Sequence, residues 1–109
     1  MNSSYRQYLL RGYRTDAIRM MLAVADCQER NRANTGFYDT GICSGVFRSE
    51  YYDLRMEPEA DDSTLAYSII ADPKFEDPAD RCGLLSLDQS GTRDIGGADE
   101  HFSACWGGR

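Results

Sequence analysis

The sequence predicts an α+β domain: one long N-terminal helix packed on a sheet of short strands, with a C-terminal region fastened by cysteine. Three observations predict it. Residues 5–34 contain no proline and one glycine, Gly12. Three later runs alternate apolar and polar side chains. Four cysteines, Cys27, Cys43, Cys82 and Cys105, form an even set in a chain of 109 residues. That length fits a single domain, 1–109, with a core small enough for covalent staples to matter.

Within the predicted helix, 5–34, the residues Ala17, Met20, Met21, Val24 and Cys27 recur at helical spacing on one side. Arg14, Arg19, Asp26 and Arg30 populate the others. Asn34-Thr35-Gly36 is a stop signal, so the helix should end near Asn34. A helix of about 30 residues is about 45 Å long, whereas a strand of five or six residues covers only about 17 to 20 Å. The sheet should therefore cover the half from Ala17 to Cys27. Tyr5, Tyr8, Leu9 and Tyr13, in the other half, are expected to meet a partner outside the domain.

Residues 35–50 read as a loop, rich in turn formers from Gly36 to Gly45 and containing Cys43. The sheet is predicted over 51–95. Tyr52, Leu54 and Met56 alternate with Tyr51, Asp53 and Arg55; Leu65, Tyr67, Ile69 and Ala71 with Ala66, Ser68 and Ile70; Leu85 and Leu87 with Leu84, Ser86 and Asp88. Such alternation means one buried face. Glu57 to Ser63 and Asp72 to Arg81 are acidic connections, the second with two Asp-Pro pairs. Asp88-Gln89-Ser90-Gly91 is a turn that returns the chain through Thr92, Arg93 and Ile95 as a short fourth strand. Residues 96–109 read as a glycine-bearing tail.

The cysteines show no CxxC spacing, and one histidine, His101, does not complete a zinc pattern. Disulfides and an oxidising compartment are the reading. The tail has too few apolar residues to hold itself on a sheet. A bond from Cys105 to Cys82 would pin it there, with Trp106 covering the edge, and would remove roughly 3 kcal/mol of unfolded-state entropy. A bond from Cys27 to Cys43 would fasten the loop to the helix end. The two crossed connectivities stay open.

The formal net charge is −6, but its distribution is uneven. Residues 1–48 hold seven arginines against four acids, and residues 49–109 hold five basic side chains against fourteen acids. A generic nucleic-acid binder is disfavoured, and charge attraction between the two halves could assist docking of subunits. No run of eighteen apolar residues occurs, and the start MNSSYRQ lacks the regions of a signal peptide. An oxidised protein needs export, so the natural start is expected to lie upstream of Tyr5, with Met1 to Ser4 a remnant foreign to it.

Cys82-Gly83, Leu85-Ser86-Leu87-Asp88, Gly91 and Arg93, followed by Cys105-Trp106, resemble the C-terminal signature of the PilE-type minor pilins of type IV pili. Tyr5-Arg6-Gln7-Tyr8, Arg14-Thr15-Asp16-Ala17, Gln28-Glu29-Arg30 and Gly36-Phe37-Tyr38 resemble that family's helix and its exit. The resemblance implies the type IV pilin fold: a long N-terminal helix on a four-stranded antiparallel sheet, with a disulfide-bounded C-terminal region. It also implies a leader and an apolar anchor helix before Tyr5, holding the protein in the inner membrane, facing the periplasm, until it enters an extracellular pilus. The implied partners are other pilins and minor pilins. Neither cofactor nor small-molecule substrate is expected. Cys27 and Cys43 lie outside the signature, and Asn31-Arg32 stands where aromatics are common in the family.

Other functions find less support. No GxSxG, HExxH, Walker A or GxGxxG motif occurs, and His101 with Asp99 and Glu100 beside it in a tail is not a catalytic constellation. Asp94, Asp99 and Glu100 could hold calcium, as in related secretion pseudopilins, yet they fit no EF-hand spacing. Arg6, Arg11, Arg14 and Arg19 suggest a DNA groove, as in DNA-uptake pilins, but they are spread around the helix. An assembly subunit with no nucleic-acid partner is the expectation; a DNA-uptake receptor or adhesin and a type II secretion pseudopilin are the alternatives.

Overall fold

The computed structural model describes residues 3–39, 41–43, 48–58 and 66–107. Parts of the predicted start, of the Gly36–Gly45 loop and of the Glu57–Ser63 connection lie outside the described residues, as does Leu65 of the second predicted strand. Helix α1 spans Ser3–Thr35. Strands β1 (Tyr52–Pro58), β2 (Tyr67–Pro73), β3 (Leu85–Asp88) and β4 (Arg93–Ile95) follow. A 3₁₀ turn, Asp99–His101, leads into helix α2, Phe102–Gly107.

The four strands form one antiparallel sheet in the order β1-β2-β3-β4, so each neighbour in sequence is a neighbour in space. The register aligns Leu54, Ala71, Leu85 and Ile95 in one row and Met56, Ile69 and Leu87 in the next. Both rows lie on one face because side chains alternate along a strand. Against it α1 lays Ala17, Met21 and Val24, all buried. The outer face carries Asp53, Arg55, Glu57, Ser68, Asp72, Ser86 and Asp94, and Arg55 pairs there with Glu57 and Asp72. This is the one-sided burial that the alternation predicts.

Helix α1 stops where Gly36 takes φ +90° and its N–H donates to the carbonyl of Arg32, 2.7 Å away. That is the left-handed cap that glycine adopts without a Cβ penalty. A helix of 33 residues is about 50 Å long at 1.5 Å per residue, matching the 51 Å long axis of the molecule.

The structure corrects three expectations. The buried stripe of α1 runs Leu10, Arg14, Ala17, Met21, Val24, Gln28, so it starts earlier and includes two polar residues. Arg14 is therefore inside, not on a solvent face. Next, the β2–β3 connection is not a free acidic loop. It lies along the N-terminal half of α1, where Arg6 pairs with Asp77, Gln7 donates to the carbonyl of Ala79 at 2.7 Å, and Arg14 pairs with Asp80 at 3.5 Å. Opposite charges on the two segments explain the docking. Finally, the tail is partly helical. Between Ala98 and Trp106 no glycine or proline interrupts the chain, and Asp99 and Glu100 precede α2, where negative charge suits a helix start.

Candidate assembly interface

The N-terminal half of α1 presents Tyr5 and Tyr8 at 51% and 69% exposure, and Leu9 half-buried. These are large apolar surfaces on a rod that projects along the long axis of the molecule. Tyr13 differs from them. It is half-buried within the domain, its ring stacked on Tyr51 at 3.7 Å and tilted against Phe75 at 5.7 Å. Its neighbours come from the strap between β2 and β3 and from the residue just before β1, which sequence spacing did not reveal.

At the other end of α1 the loop is fixed at several points. Cys27 and Cys43 form a disulfide with their Cα atoms 6.1 Å apart. The buried side chain of Gln28 accepts a hydrogen bond from the N–H of Asp39 at 2.9 Å and donates to the carbonyl of Asp39 at 2.6 Å. A backbone amide pair is thus completed by a side chain, where a water-free interior would otherwise leave it unmet. Tyr38 donates its hydroxyl to Glu29 at 2.9 Å and sets its ring edge-on to Tyr67 at 4.8 Å. Burial, then the Glu29 carboxylate, raises the Tyr38 phenol above its ordinary value. Phe37 and Ile42 stand exposed on this fixed loop.

The C-terminal region is closed by Cys82–Cys105, Cα atoms 5.9 Å apart and both residues buried. The chain enters it through a tight sequence. Gly83 takes φ +64°, the N–H of Gly97 donates to the carbonyl of Cys82 at 2.9 Å, and a Cβ on Gly97 would fall 2.0 Å from the Arg81 carbonyl oxygen. Trp106 is buried beside this bond, donates its indole N–H to the carbonyl of Asp94 at 2.8 Å, and lies under the Arg93 guanidinium. The fastened tail thereby covers the β4 edge of the sheet.

The β3–β4 turn explains the chemistry of its residues. One Asp88 carboxylate oxygen accepts the Ser90 N–H, the Ser90 hydroxyl and the Thr92 N–H, at 2.9, 2.7 and 2.9 Å. Gly91 takes φ +88°. Burial alone would raise the Asp88 carboxyl; the hydrogen bonds from the Ser90 side chain and the backbone of Thr92, Ser90 and Gly91 outweigh it and hold the group below the ordinary carboxylate value.

Of the arginines considered for a nucleic-acid groove, Arg6 and Arg14 are engaged by Asp77 and Asp80, while Arg11 and Arg19 are exposed. Among the described residues no three His, Cys, Asp or Glu side chains gather as metal ligands. Asp94 turns one oxygen to the N–H of Ile95, and His101 lies 3.5 Å from Glu100. Among the same residues no helix is long and apolar enough to cross a membrane.

Comparison with known proteins places this geometry. A family described as type IV minor pilin ComP, DNA uptake sequence receptor, matches residues 3–86. The chain belongs to this family of type IV minor pilins. A type IV pilin from Shewanella oneidensis, solved at high resolution, is 33% identical, covers 76% of this chain and 88% of its own, and superposes with a TM-score of 0.62. The non-core minor pilin PilV of Neisseria meningitidis shares the fold at 18% identity, over 85% of this chain and 92% of its own, with a TM-score of 0.64. No curated protein matches the chain. As a minor pilin the protein has the family and fold of structural subunits rather than of enzymes. The family match ends before Asp88, Gly91 and Cys105-Trp106, so those residues are read from this structure alone.

Proposed function

We propose that this minor pilin is an assembly subunit. It enters a type IV pilus, or the small complex that starts one, through the N-terminal half of α1, and serves twitching motility and attachment. The observation that carries the reading is the exposure of Tyr5 and Tyr8 on that half, in a chain whose family is that of minor pilins. Tyr5, Tyr8, Leu9 and the outer edge of Tyr13 would cover and be covered by neighbouring pilins. Anchoring in the inner membrane by an apolar helix before Tyr5, and the PilE-type character suggested by the C-terminal residues, belong to the same proposal.

The test is recovery of other pilins with an affinity-tagged protein from piliated cells. Tyr8→Ala should lower recovery severalfold while leaving the melting temperature of the domain unchanged, and adding Tyr5→Ala should lower recovery further. Undiminished recovery by the double variant would remove this surface from the account.

The description of the matching family favours one second reading, a receptor for DNA. Of the four arginines considered for a groove, Arg11 and Arg19 are the two exposed and available to phosphates, against a strongly acidic outer sheet face. Salt-sensitive binding of duplex DNA, lost in Arg11→Ala/Arg19→Ala, would support it. Absence of binding at low salt would leave assembly as the function.

A further inference from the structure

A buried ion pair, Arg14 with Asp80, lies near enough to Tyr52 for both charges to act on its phenol. Arg14 comes from α1, Tyr52 from β1 and Asp80 from the β2–β3 strap. All three are almost wholly buried: Arg14 at 6% and Tyr52 at 1% exposure, with the Asp80 side chain at 9%. Asp80 is committed to the chain. Its two oxygens accept the N–H groups of Cys82 and Gly83 at 3.1 and 3.2 Å, and the Arg14 Nη1 lies 3.5 Å from the same Oδ1 that serves Cys82. Two atoms are left over. Among the described residues the Arg14 Nε and the Tyr52 hydroxyl are the buried side-chain polar atoms without a hydrogen-bond partner.

An unmatched buried polar atom carries a desolvation cost of about 1–3 kcal/mol, so each of these two calls for a partner. Arg14 Nε can only donate; a tyrosine hydroxyl donates and accepts; a carboxylate retains lone pairs beyond two bonds. One water molecule would complete this set, accepting from Arg14 Nε and exchanging bonds with the Tyr52 hydroxyl and the Asp80 carboxylate. The Tyr52 phenol is raised far above its ordinary value, by burial first and by Asp80 second, with Arg14 opposing. It is therefore protonated and able to donate.

We propose that Arg14, Tyr52 and Asp80 hold one internal water that joins α1, β1 and the strap leading into the Cys82–Cys105 bond. The site couples the helix that enters the assembly to the covalently closed region, because Asp80 also fixes the backbone of Cys82. A dry cluster would be strained at the same joint.

A high-resolution crystal structure of the protein, paired with melting of Tyr52→Phe, tests the site. Expected are an ordered water within hydrogen-bond distance of Arg14 Nε and the Tyr52 hydroxyl, and a melting temperature lowered by about 4 °C or more in the variant. Density showing a direct bond between Arg14 Nε or Tyr52 and Asp80, with no water, would overturn the proposal. So would a Tyr52→Phe protein as stable as the parent or more so, since removing an unmatched hydroxyl relieves a cost.

Discussion

Asp88 shows how one carboxylate decides a turn. Its hydrogen bonds from Ser90 and Thr92 favour the charged form, so its folded pKa lies below that of the unfolded chain. The sign follows from linkage. Stability from this group is fully present above the ordinary carboxylate value and is lost as pH falls through the lower folded value. Thermal melting from pH 7 down to pH 3 should therefore show a drop that is smaller in Asp88→Asn, and an unchanged pH profile in that variant would count against the turn's role. Asp88 and Gly91 were legible in the sequence because turn chemistry is local. Arg14 was not: an arginine among helical residues reads as solvated until its partner, Asp80, is known, and that partner comes from a segment far along the chain. Gln28 was hidden for the same reason, since its partner is the backbone of Asp39.

Elements differ in how much of them is written locally. Helix α1 and the four strands follow from periodicity, which depends on neighbours a few residues apart. The strap over the N-terminal half of α1 depends on Arg6–Asp77, Tyr13–Phe75 and Arg14–Asp80, none of which has a period. Its acidic, proline-bearing sequence looks like a loop and is one, but a docked one. Helix α2 was concealed by Gly96 and Gly97 shortly before it and by Gly107 at its end. Two glycines separate element strength from element placement. Gly12 has open space around a would-be Cβ, so Gly12→Ala should stabilise α1 by about 0.5–1 kcal/mol. Gly97 has the Arg81 carbonyl oxygen at 2.0 Å, so Gly97→Ala should displace the tail and cost several times that amount, about 2–3 kcal/mol. Chemical denaturation of both variants checks the pair, and a harmless Gly97→Ala would mean that the tail is not held so closely to the strap.

The whole molecule is a rod of 51 Å bearing a covalently fastened head. The two disulfides close loops of similar length, with sequence separations of 16 and 23, so each should contribute roughly 3 kcal/mol in the chain-entropy account. Their local consequences should differ. Cys82→Ser/Cys105→Ser frees the tail and should shift Trp106 fluorescence to longer wavelength, whereas Cys27→Ser/Cys43→Ser should destabilise comparably without moving that emission. Equal spectral shifts in both variants would show that the two ends do not unfold separately. The pairing of cysteines that are neighbours in sequence suits a head built from consecutive elements, and it leaves the exposed side of the N-terminal half of α1 uncovered by either closed loop.

That exposed side is what the functional account depends on, and a photo-activated cross-linker placed at Tyr8 in piliated cells addresses it most directly. The account predicts covalent adducts with pilin subunits in sheared pili. A protein that is present and folded in those cells, yet yields no pilin adduct from that position, would contradict it.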